Sequence, residues 1–298
     1  MTVEAYGRAR EGTASAAVAP QRADVFDYAR WSEDLSGLSR QYGEGRPFPH
    51  VHLENFLEPE AAQAVMREFP EPDSQAWIQY KHHNENKMGL PKRELFPPRT
   101  GEVVDELNSP AFVAWLRALT GIEGLVADET LEGGGLHQAG RGGFLNVHAD
   151  FTMHHHKKNW RRRINVIVYL NEGWREEWGG AIELWDREMK RCVVRVPPLL
   201  NQALIFNTDE HSFHGFPDRL SCPEGVSRKS LALYYYTPEE GRQGKSTNYR
   251  ARPDDGLVNT AMIWADKQAV HVYSRLKEKL GLSDEFASRV LGFLSRKK

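Results

Sequence analysis

Cysteine is nearly absent from this chain of 298 residues, which contains only Cys192 and Cys222. Two cysteines exclude a disulfide scaffold and a four-cysteine zinc site. No apolar run approaches the roughly 18 residues that a membrane helix needs. Lysine plus arginine total 39 and aspartate plus glutamate total 41, so the net charge of -2 provides no basic field for a nucleic acid. These deficits predict a cytoplasmic enzyme or binding protein that uses neither membrane nor nucleic acid.

Composition divides the chain into four regions. Residues 1–24 are rich in small residues, lack periodicity and lack the apolar stretch of a secretory signal, which predicts a mobile tail. Residues 25–124 are predicted to be a helical and β support region of the same domain as the core. Residues 125–240 are predicted to form that core, and residues 241–298 are predicted to form C-terminal helices.

The support region contains two clear helix signals. Glu58-Pro59-Glu60 begins one predicted helix, since proline and acidic residues both suit a first helical turn. Ser109 is the predicted N-cap of a second helix, which Gly121 ends. Residues 49–53 resemble a strand, and the polar stretch 73–100 is predicted to be a long loop or an irregular hairpin.

Beyond residue 125 the segments become short, β-branched and aromatic, and glycine, proline and asparagine separate them. This spacing predicts seven or eight strands in a β-sandwich or barrel. No helical pattern of ten residues intervenes, which argues against a doubly wound parallel sheet. The predicted strands span 144–150, 163–170, 181–186, 191–196, 203–207, 212–216 and 230–237.

A candidate metal site lies in the predicted strand 144–150. Alternate residues of a strand face the same side, so His148 and Asp150 point together. His214 follows a strongly apolar strand much later in the chain, and the nearby His211 is its rival for a third ligand position. Two histidines and one carboxylate are the ligand set of non-heme Fe(II), although zinc hydrolases also use such ligands.

A candidate anion site lies at the start of the last predicted strand. Arg228 and Ser230 share one face, and a guanidinium beside a hydroxyl suits a distal carboxylate. A dicarboxylate could thus chelate the metal at one end and pair with Arg228 at the other. Asn146 shares the predicted face of His148, so it is a candidate for contact with the same cofactor or for orienting a ligand.

The remaining candidates are weaker. His137 and Gln138 precede the metal-site strand and are predicted substrate residues, together with His211 at the rim and with Lys81 and Lys87 in the polar stretch. The tract 154–163 is the most basic part of the chain. It is predicted to be either a solvated loop or a clamp for an anionic substrate.

Five motifs follow one another along the chain: Gly143–Asp150, Asn165–Asn171, Gly179–Trp185, Ser212–Gly215 and Arg228–Ser230. In their type and order they resemble the Fe(II)- and 2-oxoglutarate-dependent dioxygenases, in their prolyl 4-hydroxylase-like branch. The resemblance covers about residues 125–238. It implies a mainly β fold with flanking helices around a double-stranded β-helix, or cupin-like jelly roll, as the catalytic core.

The resemblance also implies site roles. His148, Asp150 and His214 would hold Fe(II), and Arg228 with Ser230 would hold 2-oxoglutarate. Dioxygen would be the second cosubstrate and ascorbate an auxiliary reductant. A carboxylate at position 150 favours hydroxylation over halogenation.

The implied substrate is an unactivated C–H group of a small molecule or of an amino-acid or prolyl residue, and the products are succinate and CO2. Two alternatives stay open. One is a zinc-dependent hydrolase, although no HExxH motif occurs in the sequence. The other is a non-catalytic jelly-roll binding module. The sequence specifies neither the individual substrate nor the oligomeric state.

Overall fold

Thirteen strands form one antiparallel sheet that curls into a nearly closed jelly roll, in a computed structural model that describes residues 24–74, 76–239, 241 and 244–280. The mainly β class and the double-stranded β-helix core predicted from the sequence are confirmed. The strands are β1 (His50–Leu53), β2 (Ile78–His82), β3 (Glu85–Leu90), β4 (Val126–Ala127), β5 (Gly135–Ala139), β6 (Phe144–Ala149), β7 (Trp160–Tyr169), β8 (Ile182–Trp185), β9 (Cys192–Val196), β10 (Ala203–Asn207), β11 (His214–Phe216), β12 (Arg228–Pro238) and β13 (Asn248–Tyr249).

The strand order runs β1-β10-β7-β12-β5-β3-β6-β11-β8-β9. Three further strands lie off this path. Strand β2 pairs with β3, β4 pairs with β12, and β13 pairs with β6. The helices are α1 (Tyr28–Ser32), α2 (Leu35–Glu44), α3 (Pro59–Arg67), α4 (Pro98–Leu107), α5 (Pro110–Thr120) and α6 (Gly256–Leu280).

The two predicted helices of the support region are confirmed as α3 and α5. The Ser109 hydroxyl accepts a hydrogen bond from the Phe112 amide at 3.2 Å, which is the predicted N-cap. Gly121 ends α5 at φ 67°, a left-handed conformation that glycine adopts without steric cost. Helix α4 was not predicted, since it lies at the end of the polar stretch and its apolar stripe is short.

The polar stretch 73–100 contains a regular hairpin, β2–β3, rather than a long loop. Strand β3 is inserted between β5 and β6, with Gly89 opposite His137 and Glu85 opposite Leu145. A Cβ atom on Gly89 would lie 2.9 Å from the Tyr80 ring, so this close approach requires glycine. The N-terminal region therefore supplies part of the barrel wall.

Side-chain alternation separates the apolar core from the barrel interior. Ile164, Val166 and Val168 of β7 face the helices and join the main apolar cluster. Asn165 and Ile167, from the same strand, line the interior cavity. One face of β7 is buried against the helices, so the side chains on its other face are available to line a site inside the barrel.

The C-terminal region contains the long helix α6, in agreement with the helices predicted there. Residues 1–23 of the predicted tail 1–24, and the part of the predicted helical region 241–298 beyond residue 280, lie outside the described residues. A search of the described part of the chain finds no helix with the length and apolarity needed to span a bilayer.

Candidate metal centre and cavity

Three side chains from two neighbouring strands meet at one point inside the barrel. His148 on β6 lies opposite His214 on β11, and Asp150 directly follows β6. The Nε2 atoms of His148 and His214 lie 3.5 and 3.6 Å from the Asp150 carboxylate oxygens. One ligand atom from each residue lies within 4.8 Å of the other two. The structure therefore brings together the three predicted metal ligands.

Hydrogen bonds orient both imidazoles for metal binding. The Nδ1 atoms of His148 and His214 each lie 2.9 Å from a backbone carbonyl, that of Asn146 and that of Ser212 respectively. An Nδ1–H donating to a carbonyl leaves the Nε2 lone pair free for a metal. Burial lowers the pKa of His214 to about 4, which keeps this ring neutral at pH 7. The donor set thus fits a divalent metal such as Fe(II).

Asp150 is held ionised by a buried cation. Burial alone would raise its pKa, but the Arg162 guanidinium, 2.9 Å away, holds the pKa well below its usual range. The Asn165 amide donates a hydrogen bond to the same Oδ2 atom, which also forms the ion pair with Arg162, at 2.8 Å. Because Oδ2 is engaged twice, the Oδ1 atom is the better placed one for a metal.

Arg162 is a site residue that the sequence did not reveal. Its side chain is only 2% exposed, it donates to Asn165 at 2.9 Å, and it stacks 3.4 Å from the Tyr234 ring. Strict alternation from Asn165 would turn Arg163 inward instead. A bulge in the β7–β12 pairing, where Tyr235 faces Ile164 but Tyr236 faces Arg162, reverses that order.

The metal ligands open into a cavity of about 620 Å³, a volume that includes its mouth. Both predicted anion-binding residues, Arg228 and Ser230, line it as well. Its walls combine polar and apolar groups, as expected for a small-molecule site. The lining residues are Lys87, His137, Gln138, Ala139, Leu145, His148, Asp150, Asn165, Ile167, Ile182, His214, Phe216, Arg228, Ser230, Ala232 and Tyr234.

Arg228 is fixed in the wall of this cavity. Its Nε–H donates to the Gly180 carbonyl at 2.7 Å, and its guanidinium lies 4.2 Å from the Phe216 ring. The Tyr169 side chain is buried beside it, with its ring 5.0 Å from the guanidinium and its hydroxyl close to the same cation. With Ser230, these groups offer a cation and two hydroxyls to a buried carboxylate.

Among the predicted substrate residues, His137 and Gln138 line the cavity. Both ring nitrogens of His137 are buried and lack hydrogen-bond partners within the described chain. Lys81 is exposed on β2, whereas Lys87 on β3 reaches the cavity. Of the two predicted lysines, Lys87 is therefore the one at the cavity, because β3 and not β2 forms the barrel wall.

Two further predicted residues lie outside the cavity lining. Asn146 donates to the Asn84 side chain at 3.1 Å, and Leu145 takes its place in the wall. The cause is a bulge in β6, where His148 pairs with His214 but Leu145 pairs with Phe216. His211 is half-buried and contacts Arg187 at 3.1 Å.

The basic tract 154–163 is not a freely solvated loop throughout. Arg161 and Arg163 lie 3.4 and 3.3 Å from the Glu239 carboxylate, and Arg162 supports Asp150. Much of the positive charge of the tract is therefore matched within the chain, which disfavours an anion clamp.

Sequence comparison agrees with this geometry. Residues 134–236 match the model of the 2OG-Fe(II) oxygenase superfamily. A mouse protein named prolyl 3-hydroxylase OGFOD1 is 33% identical over 81 residues, which are 26% of this chain and 14% of that relative. The match thus spans a small part of the relative. Over residues 134–236 the match agrees with the predicted superfamily.

Solved structures that are similar to this chain include two prolyl hydroxylases. A Pseudomonas putida prolyl-4-hydroxylase is 18% identical, with a TM-score of 0.47 over 68% of this chain and 98% of the other. A Trichoplax adhaerens prolyl hydroxylase, solved with a peptide fragment of hypoxia inducible factor, is 16% identical. Its TM-score is 0.48 over 68% of this chain and 88% of the other.

Proposed function

We propose that this chain, a member of the 2OG-Fe(II) oxygenase superfamily over residues 134–236, is a 2-oxoglutarate-dependent dioxygenase that hydroxylates an unactivated C–H group. One observation carries the proposal. The His148–Asp150–His214 cluster and the Arg228–Ser230 pair line the same cavity, so a chelating group and a distal carboxylate can be bound together.

Each residue has a defined task in this proposal. His148 and His214 present their Nε2 atoms, and Asp150 presents a carboxylate oxygen whose orientation Arg162 and Asn165 fix. Three protein ligands on one face leave adjacent positions for a chelating cosubstrate and for dioxygen.

Arg228 and Ser230 bind the far carboxylate of 2-oxoglutarate, with the Tyr169 hydroxyl beside them. Leu145, Ile167 and Ile182 provide apolar walls that exclude water from the space between the two ends. The low dielectric of this space strengthens the pairing of Arg228 with a carboxylate.

When bound, Fe(II) and 2-oxoglutarate would activate dioxygen, the oxidant of the reaction, which side chains alone cannot do. In the overall reaction R–H, O2 and 2-oxoglutarate become R–OH, succinate and CO2, so one oxygen atom enters each organic product. The proposed substrate is a small molecule or an amino-acid or prolyl residue. The match to a protein named as a prolyl 3-hydroxylase supports the second class.

The test is anaerobic reconstitution of the purified protein with Fe(II), followed by 2-oxoglutarate. We expect a visible charge-transfer band and, on admission of air, formation of succinate. A zinc hydrolase or a binding module would give neither. A protein that binds Fe(II) without any new band on addition of 2-oxoglutarate would contradict the proposal.

Replacement of the anchoring arginine should separate cosubstrate binding from metal binding. Arg228→Met leaves the cosubstrate carboxylate buried without its cation, so we expect a KM for 2-oxoglutarate raised about 100-fold, or roughly 3 kcal/mol. The affinity for Fe(II) should stay near the wild-type value. Steady-state succinate formation and metal titration measure the two quantities.

Lys229→Met is the matched control. The Lys229 ammonium lies 5.5 Å from the Phe69 ring, on the opposite side of β12 from the cavity. This variant should keep the wild-type KM for 2-oxoglutarate. An unchanged KM in Arg228→Met would remove Arg228 from the cosubstrate site.

A further inference from the structure

Residues 244–266, which we call the strap, cross over β6 beside the metal ligands. Strand β13 within the strap pairs with β6, so that Tyr249 lies opposite His148. The Arg250 amide donates to the Val147 carbonyl at 2.9 Å and fixes this register. The strap follows the segment 134–236 that matches the superfamily model, so the match assigns no role to it.

The His148 ring lies between two other rings. His214 is on one side, with ring centroids 4.5 Å apart, and Tyr249 is on the other, at 5.4 Å and an interplanar angle of 37°. The bond from His148 Nδ1 to the Asn146 carbonyl fixes one point of the ring and leaves its tilt free. Packing against the Tyr249 ring, which is tilted by 37° to the imidazole, restricts that tilt and so sets the direction of the Nε2 lone pair.

Tyr249 itself is held by a chain of polar contacts. It is 6% exposed, and its hydroxyl bonds to the Glu85 carboxylate. Glu85 lies 2.8 Å from His82 Nε2, and His82 Nδ1 lies 2.7 Å from Asp266 on α6. Alternating donors and acceptors thus connect the strap, the β2–β3 hairpin and the face of a metal ligand.

We propose that Tyr249 is a positioning residue for the metal centre, acting by holding the His148 ring in the orientation that binds the metal. The proposal rests on the ligand role of His148 in the proposed function. It extends the metal site beyond the segment shared with the superfamily, to a tyrosine of the C-terminal strap. The planar ring face does the positioning, and the hydroxyl keeps the ring in place.

The test compares Tyr249→Phe with Tyr249→Leu in Mn(II) titrations followed by electron paramagnetic resonance. Phenylalanine keeps the flat face, so its dissociation constant should stay within about 2-fold of wild type. Leucine fills much of the volume without a flat face, so binding should weaken about 10-fold, as for other residues that orient ligands. The visible bands of the Co(II)-loaded protein should shift in Tyr249→Leu and not in Tyr249→Phe.

Asn248→Ala is the matched control, because Asn248 pairs with Ala149 through backbone and directs its side chain to Lys267. It should bind Mn(II) as wild type does. Should Tyr249→Leu fail to fold, Tyr249→Met replaces it with the same expected loss. If the leucine or methionine variant binds Mn(II) with wild-type affinity and its Co(II) bands do not shift, the positioning role of Tyr249 is overturned. The proposed function is not affected by that result. A wild-type protein that binds no Mn(II) would overturn the proposed function with it.

Discussion

His214→Ala should abolish Fe(II) binding, the charge-transfer band with 2-oxoglutarate, and succinate formation. The reason is geometric, because the Nε2 of His214 is one of three ligand atoms that lie within 4.8 Å of one another. Two remaining ligands cannot complete the facial set that leaves adjacent positions for cosubstrate and dioxygen. Metal titration, the anaerobic spectrum and succinate release test these three losses separately.

His211→Ala supplies the internal control, since it removes a histidine three positions earlier on the same segment. His211 contacts Arg187 and lies outside the cavity lining. We expect this variant to keep both the band and Fe(II) affinity. The opposite pattern, loss with His211→Ala and retention with His214→Ala, would reassign the third ligand.

Arg162→Met should destabilise the metal-free protein by about 3–5 kcal/mol, the typical cost of leaving one buried partner of an ion pair uncompensated. Arg162 is 2% exposed and the Asp150 side chain 12%, so water replaces the lost contact with Asp150 poorly. The loss of this orienting contact should also weaken metal binding. Denaturant unfolding followed by fluorescence measures the change in the free energy of unfolding.

Two further variants make the Arg162 result specific. Arg161→Met removes a neighbouring cation whose partner Glu239 is part of the surface, so we expect a cost below about 1 kcal/mol. The double variant Asp150→Asn with Arg162→Met should recover much of the stability, because no uncompensated charge stays buried. A single Arg162→Met variant as stable as Arg161→Met would refute the buried pair.

The clustering of the candidate ligands could be predicted from the sequence because these residues obey simple alternation. His148 and Asp150 share a face, as do Arg228 and Ser230, and the cavity contains all four. Alternation fails where a strand carries an extra residue. The bulge in β6 places Leu145 instead of Asn146 in the cavity wall. The bulge in β7, opposite β12, turns Arg162 inward. Bulges depend on pairing between distant strands, so no local pattern announces them.

The substrate side of the cavity was less accessible to sequence analysis for a different reason. Lys87 reaches the cavity because the hairpin β2–β3 inserts between β5 and β6. The polar composition of that hairpin resembles a loop, and only its long-range pairing makes it a barrel wall. A choice between Lys81 and Lys87 therefore required the three-dimensional register.

The insertion of β3 also affects whether residues 134–236 could be expressed alone as a folded fragment. A fragment limited to residues 134–236 would lack the strand that joins β5 to β6, and both would present bare backbone edges. Such edges recruit other chains and favour aggregation. The superfamily segment is therefore not a transplantable module in this protein. We expect the solubility of this segment to depend on strand β3, which lies about sixty residues upstream of His148.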